Sequence, residues 1–222
     1  MTAPNPDAVR PVQTALLDGM ERPAGPIPLS VIQGTNADLI ASVAPIYLTG
    51  SVLDVTYGRG KWWDRFTPEP FTFHDLHTVD GVDFTRLPHD DRSFDAVCFD
   101  PPYIPAGGTR TSGATSDEAN FRSAFGLAPM NQAELDEMVF AGLAEVARVS
   151  RRWVLVKCMD FVTGSAFMCN HARIINRGTD LGMRVWDFVT HFTGTGPGGH
   201  NIFTVKRTRR ANSFLIVFEV AP

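Results

Sequence analysis

Apolar residues in this chain fall into two kinds of pattern that take turns along its length. Short dense runs, Ser51 to Thr56, Phe71 to Phe73, Phe94 to Phe99, Trp153 to Lys157 and Phe214 to Val220, have the length and continuity of buried strands, and Met183 to Phe192 alternates like one. Between them lie stretches of helical period. Thr35 or Asn36 can cap a helix that carries Leu39, Ile40, Val43 and Tyr47 on one face, with Pro45 expected to end or kink it. Asn131 and Glu134 have capping-box spacing, and Leu135, Met138, Val139, Gly142, Leu143 and Val146 follow as one stripe. A further helix is expected from Ser165 through Ile174 and Ile175 toward Gly178 or Gly182, and another after the turn at Gly60.

Strands alternating with helices specify an α/β fold with a mostly parallel sheet. The last two strands have no helix between them, so they should form a hairpin and make the C-terminal strand antiparallel to its neighbours. Residues 1–30 are proline-rich and aperiodic, and read as an irregular leader. Residues 31–222 read as one domain, with a loop at 104–130 rich in Gly, Ser and Thr that is long enough to act as a lid, and a Gly-rich, then basic, connection at 193–212.

Composition narrows the picture. A chain of 222 residues with 44% apolar content can fill one large core. Its three cysteines, Cys98, Cys158 and Cys169, show no Cys-x-x-Cys spacing, so neither a disulfide framework nor a zinc site is expected. No apolar run reaches the roughly 20 residues of a membrane helix, which points to a soluble, cytoplasmic protein. Net charge is -4, so an electrostatic footprint for nucleic acid has to be local. Lys206, Arg207, Arg209 and Arg210 form such a patch.

Chemistry concentrates where two runs end. The run closing at Phe99 is followed by Asp100-Pro101-Pro102-Tyr103, and the prolines stop the strand, which sets Asp100 at its carboxyl end. The run closing at Asp54 leads into Tyr57-Gly58-Arg59-Gly60, where glycine lets the backbone come close to a ligand. A dinucleotide fingerprint wants a third small residue where Trp63 stands, which disfavours a nicotinamide oxidoreductase. About twenty residues after Asp54, Asp75 follows the next strand at the place where an acidic side chain can accept from ribose hydroxyls. His74-x-x-His77 lacks a third ligand with convincing spacing, so no metal is expected.

These two motifs resemble those of S-adenosylmethionine-dependent amino methyltransferases of DNA, of the N6-adenine type. The resemblance extends over roughly Thr35 to Val220 and implies a Rossmann-like seven-stranded sheet, mostly parallel, with an antiparallel C-terminal strand and helices on both faces. It implies that Asp54, Tyr57, Gly58 and Gly60 hold the amino-acid part of S-adenosylmethionine, that Thr35 and Asn36 touch its methionine end, and that Asp83 and Phe84 read its adenine. Asp100 and Pro101 would then accept from the exocyclic amine, Pro102 would stiffen the turn, and Tyr103 would stack on a flipped base. Arg110 in the lid and Lys206, Arg207, Arg209 and Arg210 are the expected phosphate contacts. There is no room for a separate target recognition domain, so specificity is short, relaxed or supplied by a partner. The same tetrad occurs in enzymes that methylate guanine in RNA, so DNA is the expected partner and RNA the alternative. A catalytically silent cofactor-fold module is a third reading.

Overall fold

A computed structural model of the chain describes residues 28–103, 131–163, 166–193 and 212–221. Residues 1–27 of the leader, the 104–130 loop with Arg110, and the basic residues Lys206, Arg207, Arg209 and Arg210 lie outside the described residues. The elements are β1 (Val31–Gln33), α1 (Asn36–Tyr47), β2 (Val52–Asp54), β3 (Phe71–Phe73), β4 (Phe94–Phe99), α2 (Gln132–Val149), β5 (Ser150–Cys158), β6 (Phe161–Thr163), β7 (Ala166–Met168), α3 (Asn170–Asp180), β8 (Arg184–Phe192) and β9 (Asn212–Glu219).

Seven strands form one Rossmann-like sheet in the order β1-β8-β9-β5-β4-β2-β3. Every neighbouring pair is parallel except those of β9, which runs antiparallel to both β5 and β8, as expected for the C-terminal strand. The sheet is covered on both faces because successive strand residues point to opposite sides. Leu53, Val97, Phe99, Val154, Val156, Ile216 and Phe218 pack against α2 and α3 on one face. Val52, Ala96, Cys98, Leu155, Leu215 and Val217 pack against α1, Trp62 and Trp63 on the other. These strands are buried on both sides, which explains why they read as continuous apolar runs.

Both expected helix starts form, with Thr35 as the cap of α1, and each is a capping box. Thr35 Oγ1 accepts from Asp38 N at 3.2 Å while Asp38 accepts from Thr35 N at 2.7 Å. Asn131 accepts from the Ala133 and Glu134 amides while Glu134 accepts from Asn131 N. Each such cap stabilises its helix by about 1 kcal/mol.

Helix α1 runs two residues past Pro45 and ends at Tyr47. Two expectations are corrected. No helix follows Gly60: successive turns close at Tyr57–Gly60 and Gly60–Trp63, and the two indoles that come next are drawn to the carboxylates of Asp100 and Asp54. Helix α3 begins at Asn170 and not at Ser165, because Phe161–Thr163 and Ala166–Met168 pair as an antiparallel hairpin. Gly164-Ser165 between two short apolar runs is the hairpin signal in the sequence. The structure also adds β1, whose three residues are too short to show a period and which pairs parallel with β8 at the sheet edge.

Candidate active site

The parallel strands all end on one edge. Gln33, Asp54, Phe73, Phe99, Cys158 and Phe192 are their last residues, and β9 starts at the same edge because Asn212 pairs with Phe192. Ligands of open α/β sheets bind in the crevice beyond the carboxyl ends of the strands. The structure brings Asp54, the 57–60 turn, His74, Asp75 and Asp100 together there.

Asp54 is 3% exposed. Its Oδ1 accepts from Thr56 N at 2.8 Å, and its Oδ2 accepts from the Trp63 indole Nε1 at 2.7 Å. Burial pushes its carboxyl up to about 7 against those donors, and the nearby Asp100 adds to the push. Thr56 connects the two acids, since its Oγ1 accepts from Asp100 N at 2.7 Å.

Asp100 Oδ2 accepts from Trp62 Nε1 at 3.1 Å, and Oδ1 accepts from the Tyr103 hydroxyl. Desolvation raises its carboxyl above the ordinary aspartate value, opposed by the charge of Lys157 and by the Trp62 N–H. The adjacent indoles of Trp62 and Trp63 therefore serve the two acids, one each. By sequence alone they read only as core or wall aromatics, and tryptophan two and three positions beyond a Gly-x-Gly, with two strand-end aspartates near, is the signal that could have found them.

The Gly60 turn is shaped by its aromatic neighbour. Gly60 has φ 69°, and a Cβ there would stand 2.5 Å from the Tyr57 hydroxyl. Tyr57 stacks on Phe73 with centroids 4.2 Å apart. Gly58 N donates to Asp75 Oδ2 at 2.9 Å, and Asp75 Oδ1 accepts from His77 N and Thr78 N. Burial works the other way, but the His77, Thr78 and Gly58 donors hold the Asp75 carboxyl below the ordinary value. Asp75 thus ties the end of β3 to the glycine turn, and Oδ2 keeps one lone pair for a further donor.

Thr35 and Asn36, at the start of α1, line a cleft of about 410 Å³ together with Lys61, Asp64 and Arg65. The cleft sets the α1 cap beside the residue that follows Gly60. His191, fully buried in β8, donates from Nε2 to Gly34 O at 2.9 Å and meets Ser213 Oγ through Nδ1 at 3.2 Å, which fixes the turn before the cap. Asp83 closes a turn by accepting from Thr85 N and Oγ1, each at 2.8 Å through Oδ1. Phe84 packs into the core, 5.1 Å from the Phe99 ring and against Gly142 of α2.

His74 does not pair with His77. Its Nδ1 lies 2.6 Å from Asp80 Oδ2 and its Nε2 lies 2.7 Å from His89 Nε2, so it bridges two loops. On the other side of the site, Asp160 accepts from His171 N at 3.2 Å and from His171 Nδ1 at 2.8 Å, capping α3 where Cys169 makes no side-chain cap. Among the described residues no helix is long and apolar enough to cross a membrane.

No protein-family model matches the chain, and no curated protein matches it. Among solved structures it is similar to an SAM-dependent methyltransferase of Methanosarcina mazei, at 12% identity and TM-score 0.42, covering 77% of this chain and 92% of that one. It is also similar to magnesium protoporphyrin IX methyltransferase of Synechocystis PCC 6803 with bound SAH, at 10% identity and TM-score 0.46, covering 83% of each. A third is a Thermus thermophilus protein assigned as a DNA modification methylase and complexed with S-adenosyl-L-methionine, at 14% identity and TM-score 0.37, covering 61% of this chain. The chain spans about half the length of that protein, 49%. Likenesses of this degree carry neither cofactor nor substrate across.

Proposed function

We propose that the chain transfers a methyl group from S-adenosylmethionine to the N6 amine of adenine in DNA, on a nucleotide turned out of the helix. The observation that carries the reading is the part-buried Asp100 carboxylate at the end of β4, fixed by Trp62 and followed by two prolines and an aromatic. The cofactor reading has its own support. Asp54 and Asp100 place two acids in a poorly hydrated edge with one buried cation, Lys157, and a ligand bearing sulfonium and ammonium charges complements that surplus. The left-handed turn at Gly60 allows the close backbone approach such a ligand needs.

In this reading Asp54, Tyr57, Gly58 and Gly60 hold the amino-acid end, Thr35 and Asn36 extend that pocket, Asp75 takes the ribose, and Asp83 with Phe84 borders the adenine. When bound, S-adenosylmethionine supplies an electrophilic methyl group. An aromatic amine is a weak nucleophile because its lone pair is delocalised into the ring. Asp100 Oδ1 accepts one amine hydrogen and the Pro101 carbonyl the other, which draws the lone pair out of the ring plane and aims it. The Tyr103 hydroxyl occupies Oδ1 in this structure, so the amine displaces it and the phenol ring turns to stack on the base. Orientation and local charge do the remaining work, with no covalent adduct to the protein. The nitrogen would gain the methyl carbon as the carbon–sulfur bond breaks and its electron pair goes to sulfur, and the proton it sheds would pass to solvent. Arg110 and the Lys206 to Arg210 patch contact phosphates, and a partner or a short relaxed preference sets the target.

Asp100→Ala tests the division of labour: methyl transfer should vanish while S-adenosylmethionine affinity, read by calorimetry, stays within a few-fold of wild type. Loss of both together would contradict it.

A further inference from the structure

The carboxyl edge holds one buried cation that takes no part in the steps above. Lys157 is 6% exposed and is the only lysine or arginine that is buried among the described residues. It sits in β5 directly after Trp153, Val154, Leu155 and Val156 and before Cys158, all buried, so the strand could close on one more apolar residue. A buried ammonium costs several kcal/mol in lost hydration unless an opposite charge answers it. The register of the sheet identifies that charge. β4 and β5 pair in parallel with Phe99 opposite Val156, which sets Lys157 beside Asp100. Lys157 Nζ lies 3.3 Å from the Tyr103 hydroxyl and 5.5 Å from its ring centroid, and that hydroxyl donates to Asp100 Oδ1.

We propose that Lys157 is a positioning residue of this site, which keeps Asp100 in its carboxylate form, seats Tyr103 against it, and so sets the pH above which the site can accept an amine. Its consequence for catalysis rests on the methyl-transfer reading, but the coupling itself does not. The titratable and charged groups around Asp100 and Lys157 come from every neighbouring element. Asp54 on β2 repels a second anion, while the Trp62 indole N–H attracts one. Cys158 on β5 is a thiol that burial keeps protonated, and Asp160 beyond it adds negative charge. His191 on β8 is kept neutral by burial, and Lys157 itself opposes its charging. Of all these only Lys157 is a standing positive charge. Without it, two acids in one poorly hydrated site do not both ionise near neutrality, and Asp100 takes up a proton at higher pH.

The test is a carbon-13 NMR titration of aspartate carboxyls in the full chain, with Asp100 assigned by the signal that disappears in Asp100→Asn. Lys157→Met should move the Asp100 midpoint up by about one pH unit or more. Lys157→Arg, which keeps the charge, should leave it near the wild-type value, and the acidic limb of methyl transfer should move with the midpoint in each variant. An unmoved midpoint in a folded Lys157→Met protein overturns the proposal. If that variant does not fold, the nitrogen-15 shift of Lys157 Nζ in the unaltered protein decides: a step at the Asp100 midpoint that Asp100→Asn abolishes supports the coupling, and a flat trace overturns it. A moved midpoint in a protein that transfers no methyl group would leave the Lys157 coupling standing and defeat the methyl-transfer reading alone.

Discussion

Trp63 donates its indole N–H to Asp54 Oδ2 across 2.7 Å, and both residues are buried. The next indole back, that of Trp62, donates to Asp100. One short turn after Gly60 therefore places a fixed donor on each of the two acids at the carboxyl edge.

Trp63→Phe keeps an aromatic ring and removes the donor. The Asp54 carboxylate then has one buried oxygen without a partner, and the fold should lose about 1–3 kcal/mol by chemical denaturation. The loss should grow with pH, because it is the ionised form that needs the donor.

Asp54 gives the apo protein a pH dependence of its own. Its carboxyl titrates near 3.8 when unfolded and about 7 when folded, so the folded state holds the extra proton between those values. The unfolded state binds fewer protons there, and stability should fall as pH rises from about 4 to 7 and level off above. Asp54→Asn should flatten this segment of the stability profile. An unchanged slope would place the titration elsewhere.

Gly142 of α2 faces the rings of Phe84 and Phe99 in the core. A Cβ there would come 2.6 Å from Phe84 and 2.8 Å from Phe99, neither of which is the end of a flexible chain. Gly142→Ala should destabilise by roughly 1–3 kcal/mol despite alanine's better helix propensity. Thermal unfolding measures the net sign, and a stabilised variant would show that the rings can move apart freely.

The phosphate binding proposed for the basic patch has a salt signature. Replacing Arg207, Arg209 and Arg210 by glutamine should weaken DNA binding and lower the slope of log K against log salt by about 0.9 for each phosphate no longer neutralised. Equal affinity at low salt would mean that the patch is only solvated.

Much of this architecture is legible in the sequence because strands buried on both faces, such as Phe94–Phe99 and Asn212–Glu219, carry their signal in nearly every residue. The alternation of runs gives the parallel sheet, and the missing helix before β9 gives its reversed direction. What escapes is held by contacts remote in sequence. β1 is three residues long and exists because β8 offers it an edge. The segment after Gly60 follows a strand and a glycine turn, where a helix is the ordinary sequel, but is pulled out of a helix by Asp54 and Asp100. At the site, strand-end position exposes Asp54 and Asp100, since a run that stops at an acid is visible. The parts of Trp62, Trp63 and Lys157 are not visible in that way, because an aromatic or a long cation in an apolar neighbourhood reads as packing until the register shows which carboxylate it meets.

The direct test of the central claim is transfer of labelled methyl from S-adenosylmethionine to adenine-containing duplex DNA and to total RNA, with the products identified by nucleoside mass spectrometry. Labelled N6-methyl-2′-deoxyadenosine from DNA, absent with Asp100→Ala, is the expected result. Label confined to RNA, or none in either acid from a protein that binds the cofactor, would contradict it.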